Sequence, residues 1–261
     1  MIGIIKEFLN YRDLLSMLTL RDIKIRYKQA VMGFFWAIFM PIMAVLAGIL
    51  VKKAISMVSG KPMDLSGVAS ISVKVLPWTF FIGAIKFSVQ SLVGNASLVT
   101  KIYFPREVLP FSSILASLFD FLIATITLSV ILLFMKVGIS IYLLLTPVLL
   151  IFLILFTTGL SLFLSCANLF FRDIKHIVEI ILMFGIFFTP VFFDASMFGK
   201  WKTLLLLNPV GSILEGINAT VILHKMPDIF WFSYAGFISI LTFFLGSAIF
   251  HKGERYFAEN I

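Results

Sequence analysis

Long uncharged apolar runs alternate along this chain with short segments that carry the charges. Ala30–Val51 has no charge over 22 residues. Val75–Val99 holds only Lys86, and Val108–Met135 holds only Asp120. Val137–Phe171 is 35 residues without a charge, and Pro147 near its start places a span at roughly 141–166. Ile229–Phe250 is again uncharged throughout. About 20 largely apolar residues suffice for a helix to cross the hydrocarbon core, so each run predicts a transmembrane helix. The remaining run, Ile180–Phe193, offers 14 uncharged residues and is interrupted by Thr189-Pro190. It crosses only if Ile174–Glu179 joins the helix or the bilayer thins beside it.

The pattern therefore predicts an all-α membrane protein with six transmembrane helices. Ahead of them, Leu20, Ile23, Tyr27, Val31 and Phe34 fall at helical spacing, with Arg21, Lys24, Arg26 and Lys28 mainly on the other faces. That predicts an amphipathic helix in the membrane interface. Glu7, Asp13 and Asp22 interrupt the amino terminus, and no compact apolar region with a small-residue cleavage site is present, so it does not read as a signal peptide. Between the fifth and sixth spans, Trp201–Leu207 closes at Asn208-Pro209, and Ile213, Leu214, Ile217, Val221 and Ile222 form a helical stripe. Two short re-entrant or interfacial helices on the outer side are expected there. The whole chain, 1–261, reads as one transmembrane domain: an interfacial segment 1–32, a bundle 33–250 and a tail 251–261.

Composition agrees. The chain is 61% hydrophobic and 13% charged, against about 25% charged in a soluble domain, and its mean hydropathy is +1.09. One cysteine, Cys166, permits no intrachain disulfide and no cysteine zinc cluster. The net charge of +8 fits loops facing anionic lipid rather than nucleic acid. Twelve Lys and Arg residues, including all six arginines, flank the spans on the side of both termini, and eight lysines, Lys74 among them, are assigned to the other. The positive-inside rule then makes both termini cytoplasmic.

Catalytic constellations are scarce. His176, His224 and His251 are dispersed, and no H-E-x-x-H, paired Cys motif or G-x-S-x-G occurs. No G-x-x-x-x-G-K-[ST] occurs either, so ATP, if it drives this protein, binds another polypeptide. Of the charges within the spans, Lys86, Asp120 and Glu179, an interhelical Lys86–Asp120 pair is the leading structural expectation, because such charges seek partners. A functional charge, as an ion-coupled carrier would use, and lipid-facing snorkelling are the alternatives; such a carrier typically needs a cluster of these groups, and here they are single. Asn218-Ala219-Thr220 matches a glycosylation sequon.

Certain segments resemble a known family. Leu20-Arg21-Asp22-Ile23-Lys24-Ile25-Arg26-Tyr27-Lys28-Gln29, followed by Gly33, Trp36 and Pro41, resembles the amino-terminal signature of ABC-2-type permeases, in particular the branch exporting O-antigen, teichoic acid and capsular polysaccharide. Lys101-Ile102-Tyr103-Phe104-Pro105-Arg106-Glu107-Val108-Leu109-Pro110, Asn168-Leu169-Phe170-Phe171-Arg172-Asp173-Ile174 and Asn208-Pro209 are similar to later segments of that branch, in order and spacing. The resemblance implies a bacterial inner-membrane half-transporter: a homodimer bound to two copies of a separate ABC ATPase, moving a lipid-linked polysaccharide outwards. No cofactor is expected in this chain, and ATP and Mg belong to the partner. By position it implies that Arg21, Asp22, Lys24, Arg26, Lys101, Tyr103, Arg106, Glu107, Arg172 and Asp173 couple to the ATPase. It also implies a glycan pathway between first and fifth spans, for which Phe35, Trp36 and Phe39 face Phe184, Phe187 and Phe188; Phe34, Phe192 and Phe193 extend the set. Aromatic faces offer a sugar's C–H groups an apolar plane. Tyr27 and Trp78 are alternatively interface anchors. A drug or small-lipid exporter of the same family shares these expectations apart from the substrate.

Overall fold

The structure, a computed structural model, describes residues 11–28, 35–59 and 65–257. Its described residues form helices joined by short turns. In chain order they are α1 (Arg12–Lys28), α2 (Phe35–Ser59), α3 (Leu65–Gly94), α4 (Ala96–Lys101), α5 (Val108–Phe134), α6 (Thr146–Phe170), α7 (Ile174–Gly185), α8 (Lys202–Leu206), α9 (Pro209–Val221) and α10 (Ile229–Gly253). Short 3-10 turns precede α6 and α8 and follow α10. Among the described residues, four helical stretches are long and apolar enough to cross a membrane: Ser66–Gly94, Val108–Phe134, Ile141–Phe170 and Ile229–Tyr256. The chain is thus a multi-pass α-helical membrane protein. The 25-residue α2 stands where the first span was expected.

The ends of these helices have local causes. The Asn208 side chain accepts the Val210 N–H at 3.1 Å and Pro209 takes the first helical position, so α9 starts there. Asp228 caps α10 in the same way through the Phe230 N–H, at 3.0 Å.

α3 is the hub: it packs on α2, α5, α6, α7 and α9. The main core lies around it, with Ile71, Ala84 and Ile85 of α3 against Ile114 of α5, Leu149 and Leu153 of α6, and Ile213 and Leu214 of α9. A second apolar cluster gathers Leu18 of α1, Leu92 at the end of α3, Val99 of α4, Phe104, Val108, Cys166 near the end of α6, Phe250 of α10 and Phe257. α1, α4 and the last described residues therefore share one end of the bundle.

α6 and α10 approach closely. A side-chain carbon at Gly246 would fall on the Gly159 backbone, and one at Gly159 would fall on the backbone of Thr242 and Phe243. Small residues permit this contact where bilayer lipid supplies no hydrophobic force between helices.

Four sequence expectations change. The second long helix begins at Leu65, not Val75, so Lys74 lies inside α3 and not in an outer loop. Ile174–Glu179 does join the fifth helix, but α7 stops at Gly185 after 12 residues, about 18 Å, short of the ~30 Å hydrocarbon core. Thr189 hydrogen-bonds back to the Gly185 carbonyl and Pro190 has no N–H to continue a helix. The stripe on α9 faces protein, with Ile213, Leu214 and Ile217 buried in the core. Finally, Lys86 is exposed and does not meet Asp120.

Candidate functional site

α1 lies along the first half of α5 and runs in the same direction. Leu18 sits near Val108 and Leu109. One turn on, Asp22 accepts a hydrogen bond from the Ser112 hydroxyl at 3.1 Å and pairs with Arg21 at 2.9 Å. Another turn on, the Arg26 guanidinium donates to Asp120 at 2.6 Å and to Ser117 at 3.1 Å, and stacks 3.9 Å over the Phe87 ring. Tyr27 donates its hydroxyl to the other Asp120 oxygen at 2.5 Å. Asp120 is about 18 Å along α5 from its first residue, so this carboxylate is answered by α1. The inward face of α1 is accordingly Leu14, Leu18, Asp22 and Arg26, while Leu20, from the expected apolar stripe, is exposed. The polar residues turned inward because α5 offers two serines and an aspartate at matching spacing. Val31 and Phe34 lie outside the described residues.

Of the residues assigned to coupling, Arg21, Asp22 and Arg26 are thus partly buried against α1's own neighbours, and Lys24 is exposed. Asp120→Asn removes the charge that holds Arg26. It is expected to loosen α1 by about 2 kcal/mol, read as earlier proteolysis within α1 in detergent. Lys86→Ala, on an exposed surface, is expected to leave the digestion pattern unchanged.

The loop after α4 joins an exposed tip to a buried base. Lys101 and Ile102 are exposed, and Tyr103 is 93% exposed. Phe104 inserts into the second cluster and Glu107 is buried. Arg106 turns back into the protein: its backbone N–H donates to the Glu254 carboxylate at 3.2 Å, and its guanidinium to the Glu254 carbonyl at 2.8 Å. The His251 ring lies 3.9 Å from the Glu107 carboxylate and 3.7 Å from that of Glu254. Nearby, Arg172 and Asp173 are exposed in the turn between α6 and α7. Asn168, buried just before that turn, donates to the Val89 carbonyl at 3.0 Å and accepts the Lys175 N–H at 3.1 Å. It joins α3, α6 and α7.

The aromatic residues divide. Phe184, Phe187 and Phe188 on and after α7 are 51%, 68% and 68% exposed, alongside exposed Ile177, Ile180 and Ile181. Phe35 is exposed, 6.3 Å from Phe39. The Trp36 side chain lies outside what the structure describes. Phe192 and Phe193 are partly buried, and Phe193 packs on Phe198. Trp78 is buried and is no interface anchor; it lines an apolar cavity of about 300 Å³ with Phe81, Phe156, Val178, Leu182 and Phe188. Asn218 and Thr220 of the sequon are both buried, which closes them to glycosylation.

Sequence reasoning missed the most enclosed charge. Lys74, completely buried in α3, donates to the Phe193 carbonyl at 2.7 Å and to Asp194 at 2.9 Å, and lies 3.5 Å from Glu215 of α9. Ser70 also donates to Asp194 at 3.2 Å, and Glu215 accepts the Ala195 N–H at 2.9 Å. This network fixes the turns after α7 to both α3 and α9. Among the described residues no cluster of His, Cys, Asp and Glu is arranged to hold a metal ion.

The sequence profile of the family described as ABC-2 type transporter matches residues 13–222. The chain is 27% identical over 266 residues to the O-antigen export system permease protein RfbA of Myxococcus xanthus, covering all of both chains. It is 30% identical over 254 residues to a Klebsiella pneumoniae protein of the same name, covering 95% of this chain and 94% of that one.

Proposed function

This chain belongs to the ABC-2 type transporter family, and on that premise we propose that it is the membrane-spanning half of an ATP-driven exporter of lipid-linked polysaccharide, of the O-antigen kind. Two copies form the path, and two copies of a separate ATPase supply ATP and Mg. Both termini face the cytoplasm, and the chain resides in the bacterial inner membrane. α2, α3, α5, α6 and α10 cross the bilayer, with α7 and the turns after it completing a sixth, broken passage.

The single observation that carries this reading is the full-length similarity to O-antigen export permeases. Two features of the structure support it. The end holding α1, α4 and the last described residues presents Lys101, Tyr103, Arg172 and Asp173 outward on a packed base, as a docking end for an ATPase requires. The exposed phenylalanines on and just after α7 form an apolar, ring-rich face beside a helix that packs lightly on its own chain. Rings hold a polymer without reading its sequence, as stacking platforms do for single strands, and so permit sliding.

The proposal is tested by affinity purification from native membranes with native mass spectrometry, together with deletion of the gene. Two copies of this chain with two of an ATPase, and loss of surface polysaccharide on deletion, are the expected results. A chain recovered without ATPase after cross-linking, or a deletion strain with normal surface glycan, overturns it.

A further inference from the structure

The residue after the last long helix reaches back to the loop that carries Tyr103. Glu254 receives both the main-chain N–H and the guanidinium of Arg106, a residue 148 positions earlier, through its carboxylate and its carbonyl respectively. Two bonds to the two halves of one residue fix orientation as well as position. The contact is sealed by aromatic packing: Phe257 is fully buried, with its ring 5.1 Å from Phe250 and 6.1 Å from Phe170. Phe104, from the loop itself, enters the same cluster. The charged and titratable groups at this contact are Arg106, Glu107, His251 and Glu254; Lys252 and Arg255 are exposed.

The loop's sequence neighbours are α4 and α5. A push on Tyr103 would, from connectivity alone, move those two helices. The contact adds a third output, because α10 is held to the loop by Glu254 and packs along α6 for most of its length. We propose that Glu254 is a positioning residue, tying the Tyr103 loop to α10 so that a stroke delivered at the loop moves α6 and α10 as one body. The proposal rests on the exporter reading for the source of the stroke, and on the observed bonds for its transmission.

The experiment uses the full chain with its ATPase partner. Spin labels at Tyr103→Cys and Phe244→Cys report the loop-to-α10 distance; Cys166 is buried and stays unlabelled. In otherwise native protein the distance distribution is narrow and unmoved by a non-hydrolysable ATP analogue. Glu254→Ala broadens it, and export falls about tenfold, the worth of one charge-assisted hydrogen bond, while ATPase co-purification is unchanged. Glu254→Gln keeps an acceptor for the Arg106 N–H and retains most of the narrow distribution. In an Arg106→Ala background the main-chain N–H that Glu254 accepts is still present, so Glu254→Ala broadens the distribution further. A Glu254→Ala distribution as narrow as native, or one that Glu254→Ala leaves unchanged in the Arg106→Ala background, overturns the proposal. Absence of any ATPase would instead overturn the exporter reading, and the width of the distribution would still decide the clamp.

Discussion

Lys74→Met is expected to destabilise the protein by about 3–5 kcal/mol, the range for removing one partner of a buried ion pair. Methionine fills the space, so the loss is electrostatic. Asp194 and Glu215 would lose the Lys74 ammonium they share, and the Phe193 carbonyl would lose its donor. The turns after α7 would keep their bonds to Ser70 and Glu215 but lose the cation that ties α3 and α9 to them together. Thermal unfolding in detergent should show a fall in Tm on the order of 10 °C. Restoring charge balance tests the cause: Lys74→Met with Asp194→Asn and Glu215→Gln should recover most of the loss, since an apolar and neutral replacement of a buried ionic group is often tolerated. A Lys74→Met protein as stable as the native one would show that the network contributes no stability.

A second large effect is expected at the α6–α10 crossing. Gly246→Leu places a branched side chain where the backbone of Gly159 already lies. Backbone cannot rotate away as a side chain can, so the helices must separate along their contact, at a cost above about 4 kcal/mol. Even Gly246→Ala should be damaging, because its first side-chain carbon is the atom that collides. Gly83→Ala is the control: the nearest atom to its added carbon is the Ser117 hydroxyl at 4.0 Å, an ordinary contact. Size-exclusion profiles should show Gly246→Leu aggregated and Gly83→Ala monodisperse. A monodisperse Gly246→Leu protein would mean that the two helices do not pack as described.

The apolar runs were legible as helices because the bilayer acts as a length filter on sequence. What hid from that filter was charge that folding encloses. Counting apolar residues starts a span after a lysine, so Lys74 read as a loop cation beside a helix beginning at Val75. In fact its helix begins at Leu65, and its partners lie 120 and 141 residues away. Asp120 was legible as a buried charge needing a partner, but which partner depends on helix rotation. Lys86 points outward on α3, and Arg26 arrives from a helix expected to lie apart in the interface. The segments expected to couple to an ATPase were legible as motifs, and Tyr103 among them is exposed. The inward turn of Arg106 was not, since nothing in Gly253-Glu254-Arg255-Tyr256-Phe257 marks it as the other half of a loop so distant in sequence.

The pairing of Gly159 with Gly246 also sets an order of assembly. The two residues are 87 positions apart, and ribosomes add about 5–20 residues per second. For about 4–17 s after α6 emerges, its glycine face therefore waits for the helix that covers it. Glu254 and Phe257 arrive later still, after every other helix has been made. The loop bearing Tyr103 gains its tie to α10 only once Glu254, 148 positions beyond Arg106, has been added, so a chain that stops short of Glu254 carries that loop without the tie.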